Sequence, residues 1–273
     1  MRQTLTVRFH RAVKLGMLAC VRLLQGFTVF RLLGAWLLKA GMGKRIGSGL
    51  THPLYFASKA VQLCRGTGIE IGSLHRRLPL AANVLYLDMC TTTQLRSQYA
   101  DDPRVDEIGQ VHLVAKGGSY PFIDDNAFDF VASSHVLEHV ANPPRQLQEW
   151  LRILRPGGIV YAIVPDMRFC FDRRRELTPL SNFVEEYERG ETSISLEHYR
   201  DYIVNTNGEH GIDRDVSEER ITRCFEAQVS IHVHTFTAES LRRFLDQFAP
   251  LLGFNLVYFE ADELHLHFAL RKR

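Results

Sequence analysis

The sequence predicts an α/β fold: a parallel sheet layered by helices, a helical insertion after the fifth strand, and a basic helical arm in front. Three observations carry this. Short apolar runs bounded by turn residues alternate with amphipathic stretches between residues 67 and 165, as they do in a buried parallel sheet with crossover helices. The rhythm then breaks, because residues 166–236 are polar, rich in Arg and Glu, and helical in pattern. Two apolar runs, Phe254–Glu260 and Leu264–Leu270, close the chain, and only Ala261-Asp262-Glu263 joins them. A connector that short permits only antiparallel pairing.

The elements follow in order. Thr67–Ile71 reads as the first strand and Val84–Leu87 as the second, with eleven residues between Gly72 and Val84. That leaves no room for a full crossover helix. Thr91–Tyr99 is a helix, Val111–Ala115 a third strand, and the apolar run Ala127–Ser134 a fourth. Asn142 caps a helix with Pro143 at its first position, where a missing N–H does no harm. Leu147, Trp150, Leu151 and Leu154 then recur at helical spacing. The tetrad Arg155-Pro156-Gly157-Gly158 is expected to stop that helix with a left-handed glycine cap. Ile159–Pro165 is the fifth strand. Helical patterns inside the insertion include Asn182–Glu188 and Glu197–Asn205, and Thr237 caps the amphipathic AESLRRFLDQF.

At 273 residues, 45% apolar and 23% charged, the chain has the composition of a globular protein with a large core. Five scattered cysteines without a C-x-x-C pair argue against a disulfide framework or a cysteine zinc site and suit a reducing compartment. The net charge of +2 hides an asymmetry: residues 1–69 hold eleven Lys or Arg and no acid, so the split is +11 against −9. Residues 1–65 read as the arm and 66–273 as the domain that carries the chemistry. Within residues 13–45, Lys14, Arg22, Arg31 and Lys39 interrupt the apolar runs, the longest uncharged one being eight residues. That is far short of the roughly 20 residues that span a bilayer, and a poor secretory signal. The four bases fall on about half of a helical wheel. Three readings stand: a helix packed on the domain, a helix lying in an anionic membrane interface through residues 1–45, and a targeting segment.

One stretch has the order of a nucleotide site. The first strand ends in Glu70-Ile71-Gly72 and the second in Asp88. Strand, glycine turn, strand, acid is the arrangement that holds an adenosine-type cofactor. Taken alone, the two acids also read as strand ends in solvent.

The longer pieces PFIDDNAFDFVASSHVLEHV and LRILRPGGIVYAIVPD, in that order after the strand pair, resemble the class I S-adenosylmethionine-dependent methyltransferases. EIGSLHRRLPL, VPDMRFCFDRRRELTPL and IHVHTFTAESL are similar to a bacterial branch associated with sugar and cell-surface glycan genes. The resemblance runs from about Gly68 to Arg271. It implies a Rossmann-like, seven-stranded, mostly parallel sheet with an antiparallel last strand, and S-adenosylmethionine as cofactor. By the same resemblance Glu70 and Gly72 face the methionine end of the cofactor and Asp88 holds the ribose hydroxyls. A carboxylate has the two acceptor oxygens for that diol. Ser73 and Met89 beside them, and His135 after the fourth strand, complete the expected cofactor-facing set. Two departures are visible. The glycine-rich turn is reduced to Gly72, with Ser73–Pro79 as an alternative cradle, and Ala115-Lys116 stands where an acid for the adenine amine is common.

Methyl transfer to a hydroxyl needs in-line alignment and a group that takes the acceptor proton. Asp166 follows the fifth strand, and His232 and His234 are spaced to face one way in an extended segment. These three are the catalytic candidates. Arg168 and Asp172 match the family motif and are expected to meet the substrate, with residues 166–236 as the specificity lid. A histidine pair with Asp166 is also a metal-binding combination, but spacing alone is weak evidence and no metal is assigned. The expected activity is O-methylation of a sugar or glycan intermediate, in the cytoplasm or at the inner face of its membrane. The rivals are a non-catalytic cofactor-fold scaffold at the membrane and a lipid or quinone methyltransferase. A nucleic-acid partner is not expected, because the basic excess lies in an apolar arm instead of an aromatic-interleaved groove.

Overall fold

The computed structural model describes residues 59–209, 212–262 and 264–273. The basic arm, including the expected membrane-facing segment 1–45, lies outside them apart from its last residues. The chain divides into two compact units. The first takes in the residues up to Gly66 together with Leu78–Asn83. Among its described residues, 59–63 are helical, and the Asn83 amide donates to the Gly66 carbonyl at 3.0 Å. The second unit, Thr67–Arg77 and Val84–Arg273, carries the sheet.

Seven strands lie in one sheet: β1 (Thr67–Ile71), β2 (Asn83–Asp88), β3 (Leu113–Val114), β4 (Phe128–Ser134), β5 (Leu154–Pro165), β6 (Phe254–Ala261) and β7 (His265–Lys272). Their order is β3-β2-β1-β4-β5-β7-β6. β1 pairs with β4, β4 with β5 and β2 with β3 in parallel, whereas β7 runs antiparallel between β5 and β6. This is the mostly parallel, Rossmann-like sheet with an antiparallel strand that the sequence implies. β4 and β5 are almost wholly buried, which explains why they read as continuous apolar runs. No helix interrupts Gly72–Ala82, so the short first loop is real.

Among the described residues of the second unit the α-helices are α1 (Thr92–Gln98), α2 (Pro143–Ile153), α3 (Leu180–Arg189), α4 (Leu196–Thr206), α5 (Glu218–Glu226) and α6 (Ala238–Leu252). Thr91, Ser195 and Thr237 close capping boxes on α1, α4 and α6. α2 buries Leu147, Trp150 and Leu151 against the sheet. α6 buries Leu241, Phe244, Leu245 and Phe248 in the same core. The insertion brings a small core of its own, in which Tyr199 and Ile203 of α4 meet Ile221 of α5, Ile231 and Val233. The sequence pattern locates α3 and α4 but misses α5, whose one fully buried residue is Ile221.

Two expectations are corrected. β3 is only Leu113–Val114 and not Val111–Ala115, because it is an edge strand paired with β2 alone. The tetrad 155–158 is not a helix cap. The helix ends at Ile153 and Leu154 is already extended, with ψ 143°. The register with β4 jumps from Phe128↔Leu154 to Phe130↔Ile159, so residues 155–158 bulge outward opposite Asp129. Gly157, at φ +78°, makes that bulge, and Arg155 ties it to Asp129 at 2.7 Å.

Asn142 joins the sheet layer to the insertion. Its Oδ1 accepts from the Arg145 amide at 3.1 Å, and its Nδ2 donates to the Glu186 carbonyl at 2.7 Å. Asn142→Ala removes the cap and leaves a buried carbonyl without its donor. Urea unfolding is expected to show a loss of about 2–4 kcal/mol.

Candidate functional site

The parallel strands deliver their carboxyl ends to one edge of the sheet, and the order reverses between β1 and β4. Open α/β sheets bind ligands at such a switch point. Gly72 leaves β1 there at φ +66°, and its amide donates to the Leu87 carbonyl at 3.0 Å. A Cβ at this position would lie 2.6 Å from Val136 Cγ2, so only glycine lets β1 turn this close to the end of β4. Asp88 ends β2 half-buried, its Oδ1 accepting from the Met89 amide at 2.7 Å. Burial pushes its carboxyl up, opposed by the Met89 and Cys90 amides. Glu70 is buried within β1, Ser73 follows Gly72 in the turn, and the Met89 side chain is exposed. The structure thus brings Gly72, Ser73, Asp88 and Met89 to one end of adjacent strands.

His135 follows β4 in the left-handed region, φ +55°, a conformation that stores of order 1–3 kcal/mol and clusters at functional sites. Its Nδ1 lies 3.2 Å from Glu138 Oε1. Glu138 was not singled out from the sequence, yet it organises this end of the sheet. Its side chain is fully buried, and its carbonyl accepts from the amides of Val233 at 2.7 Å and His234 at 3.1 Å. That pins residues 231–234 onto the turn after β4. Its Oε1 faces His139 Nε2 and His232 Nε2, each at 3.9 Å. Burial raises the carboxyl, but the three histidines around it prevail and hold it below its ordinary range.

His232 is fixed from the other side. Its Nδ1 bonds Asp172 Oδ2 at 2.6 Å, and Arg175 holds Asp172 Oδ1 at 2.9 Å. Arg175, itself buried, also donates to the carbonyls of His232 and Val233 and to Asp201. Burial raises the Asp172 carboxyl, and His232 and Arg175 more than reverse this, leaving it below the usual value.

Three expected roles need correction. Asp166 is fully buried and caps the turn Met167–Phe169. Its Oδ1 accepts from the Arg168 amide and Nε, and its Oδ2 from Nη2 at 2.6 Å. Its oxygens orient Arg168. Asp172 meets His232 and Arg175 in the interior, where it orients the imidazole. His234 is turned into the core: its ring packs 4.9 Å from Phe183, and its Nε2 lies 3.5 Å from Glu186 Oε2. Burial drives the His234 pKa down to about 3 and raises that of Glu186 to about 8. The two histidines spaced two apart therefore enter different environments, and only His232 stays with the strand-end cluster. The exposed Arg168 guanidinium remains on the surface of the insertion.

Comparison with known proteins agrees with the class implied by the sequence. Residues 61–162 match the family described as "Methyltransferase domain", a stretch that runs from before β1 into β5 and contains Gly72, Asp88 and Glu138. An uncharacterized methyltransferase of Mycolicibacterium vanbaalenii is 51% identical over 45 residues, 16% of this chain and 17% of the relative. An uncharacterized 37.1 kDa protein from a Streptomyces fradiae transposon is 30% identical over 110 residues, 39% of this chain and 30% of the relative. The chain thus spans less than a third of the length of either relative. Among solved structures, an S-adenosylmethionine-dependent methyltransferase from Mesorhizobium loti aligns with a TM-score of 0.43 at 14% identity, covering 80% of this chain and 98% of that one. One from Thermotoga maritima aligns at 0.44 and 17%, covering 81% and 89%.

The Glu186–His234 pair has a pH signature. Glu186 is protonated in the folded state up to about pH 8 and ionised when unfolded above its ordinary 4.5. Its stabilising contribution is therefore lost as pH rises toward 8. The depressed His234 acts oppositely, but its contribution is complete above about pH 6.5. Between pH 6.5 and 8 the unfolding free energy is expected to fall by at most about 1.4 kcal/mol per pH unit from Glu186. Glu186→Gln should flatten that slope in denaturant titrations at the two pH values.

Proposed function

We propose that this methyltransferase-domain chain uses S-adenosylmethionine to O-methylate a sugar or glycan intermediate. The observation that carries the cofactor half of the reading is the turn at Gly72, a cradle that a Cβ would fill, beside the half-buried Asp88 carboxylate at the end of the next strand. These residues fit the group: Asp88 would take the ribose hydroxyls, and Gly72 and Ser73 would admit the amino-acid end next to His135. When bound, the cofactor supplies an electrophilic methyl group on a sulfonium.

What the chain's own residues do follows from their chemistry. Asp88 keeps one carboxylate oxygen engaged with the Met89 amide, which fixes its plane and directs the other oxygen. His232, held by Asp172 through Nδ1, is the oriented imidazole beside the turn after β4, and it would be the group that takes the acceptor proton. Holding that hydroxyl in line accounts for rate without covalent chemistry. A hydroxyl-rich acceptor is supported by the polar insertion, where the Arg168, Arg173 and Arg174 side chains are more than half exposed, and by the motif resemblance of residues 164–180 and 231–241. An anionic membrane contact through residues 1–45 rests on the eleven bases without an acid by residue 69. Among the described residues no helix is long and apolar enough to cross a membrane.

Asp88→Ala is expected to weaken S-adenosylmethionine binding by about 1.5–3 kcal/mol, the worth of hydrogen bonds to a charged group, with the fold intact by circular dichroism. Calorimetric titration of the purified protein measures this, and unchanged affinity would mean that the ribose is held elsewhere. Removing residues 1–40 should reduce co-sedimentation with phosphatidylserine vesicles. Equal binding by both forms would exclude the arm as a membrane contact.

A further inference from the structure

We propose that Glu138, His139 and His232 bind one divalent transition-metal ion, of the kind zinc represents, at the carboxyl end of β4. The three residues come from two segments that the Glu138 carbonyl holds together. One ligating atom from each lies within 4.8 Å of the other two. Glu138 Oε1 stands 3.9 Å from the Nε2 atoms of both histidines. That is too far for hydrogen bonds. Tetrahedral ligands at zinc's usual bond lengths sit about 3.4 Å apart, so small side-chain rotations close the set on an ion.

Three further features separate this cluster from an ordinary buried ion pair. The Glu138 carboxylate is fully buried; His135 Nδ1 stands 3.2 Å from Oε1, yet among the described residues no hydrogen bond of proper geometry reaches either oxygen. Such a group calls for a cation. Both histidines use Nδ1 elsewhere. His139 Nδ1 meets the Ile231 carbonyl at 2.8 Å, and His232 Nδ1 meets Asp172 at 2.6 Å. Imidazole ligands are oriented in just this way, with the far nitrogen held by a carbonyl or a carboxylate and the near one left for the metal. Arg175 extends the support behind Asp172.

The neighbouring group of Asp262, His265 and His267 is a useful contrast. Asp262 accepts from the amides of Leu264 and His265, and its oxygens lie 3.3 Å from both rings. His267 Nδ1 is taken up by the Tyr161 hydroxyl. Those groups already satisfy one another.

Two histidines and one carboxylate leave a coordination position open, the pattern of catalytic rather than structural sites. An acceptor hydroxyl bound there would lose its proton more readily. His232 would then act through the ion instead of as a free base. This consequence rests on the methyltransferase reading; the metal site itself does not.

The test uses the full chain, stripped with a chelator and titrated calorimetrically with zinc, with visible absorption of a cobalt(II) form as a second readout. One equivalent is expected to bind. His139→Ala and His232→Ala should each weaken binding by at least about 10–100-fold, the scale already seen for supporting residues. Glu138→Gln, which keeps shape, should weaken zinc similarly and change the cobalt spectrum. Asp262→Asn should leave both unchanged. Absence of stoichiometric binding by the wild type, or undiminished binding by Glu138→Gln, would overturn the proposal. Cofactor titration of the same samples separates the two ideas: cofactor binding without metal binding removes only the metal site, and the converse removes only the methyltransferase reading.

Discussion

A fully buried carboxylate is tolerated only where cations or hydrogen-bond donors surround it, since bringing an unpaired charge out of water costs several kcal/mol. Glu138 meets this constraint by gathering His135, His139 and His232 around its side chain, while its carbonyl takes the amides of Val233 and His234. Residues 135–139 and 231–234 are nearly a hundred positions apart in sequence, and their meeting fixes where the insertion returns to the sheet. The rest of the candidate acceptor site follows from that junction. Asp172 and Arg175 anchor the far side of His232, and Arg175 reaches on to Asp201 of α4.

The cofactor half depends on a different economy of space. β1 and β4 are so close at their carboxyl ends that Val136 excludes any side chain at residue 72. A single glycine therefore suffices where a glycine-rich turn would be looked for. The eleven residues from Gly72 to β2 make their turn without a helix. His135, held at positive φ beside this turn, links the strand-end cradle to the Glu138 cluster.

Much of the fold was legible because its signals are local. Asn142 with Pro143, and Thr237 before AESLRRFLDQF, mark helix starts through cap chemistry that depends on neighbours a few residues away. The tetrad 155–158 is ambiguous in sequence because the same residues that cap a helix also build a bulge, and only the Phe128↔Leu154 pairing decides between them. In the site, the chain positions of Gly72 and Asp88 could be read from strand ends. The fates of His232 and His234 could not, since two-residue spacing says nothing of the partners that meet each ring. Asp166 and Asp172 carry the right motif, but Asp166 holds the exposed Arg168, and Asp172 holds the buried Arg175 and an imidazole. Glu138 left one usable signal: an acid set between His135 and His139 on a turn after a buried strand. Its burial comes from the insertion closing over it, which no local pattern encodes.

Under the proposed function, the carboxyl ends of β1, β2 and β4 hold an adenosyl cofactor with its reactive end toward the Glu138 cluster. A crystal structure of the chain with S-adenosylhomocysteine tests it most directly. The expected complex has both ribose hydroxyls on the Asp88 carboxylate, the amino-acid end against the Gly72–Ser73 turn, and the sulfur on the His135 side. A complex in which Asp88 faces solvent, or in which the ligand lies away from this edge of the sheet, would contradict it.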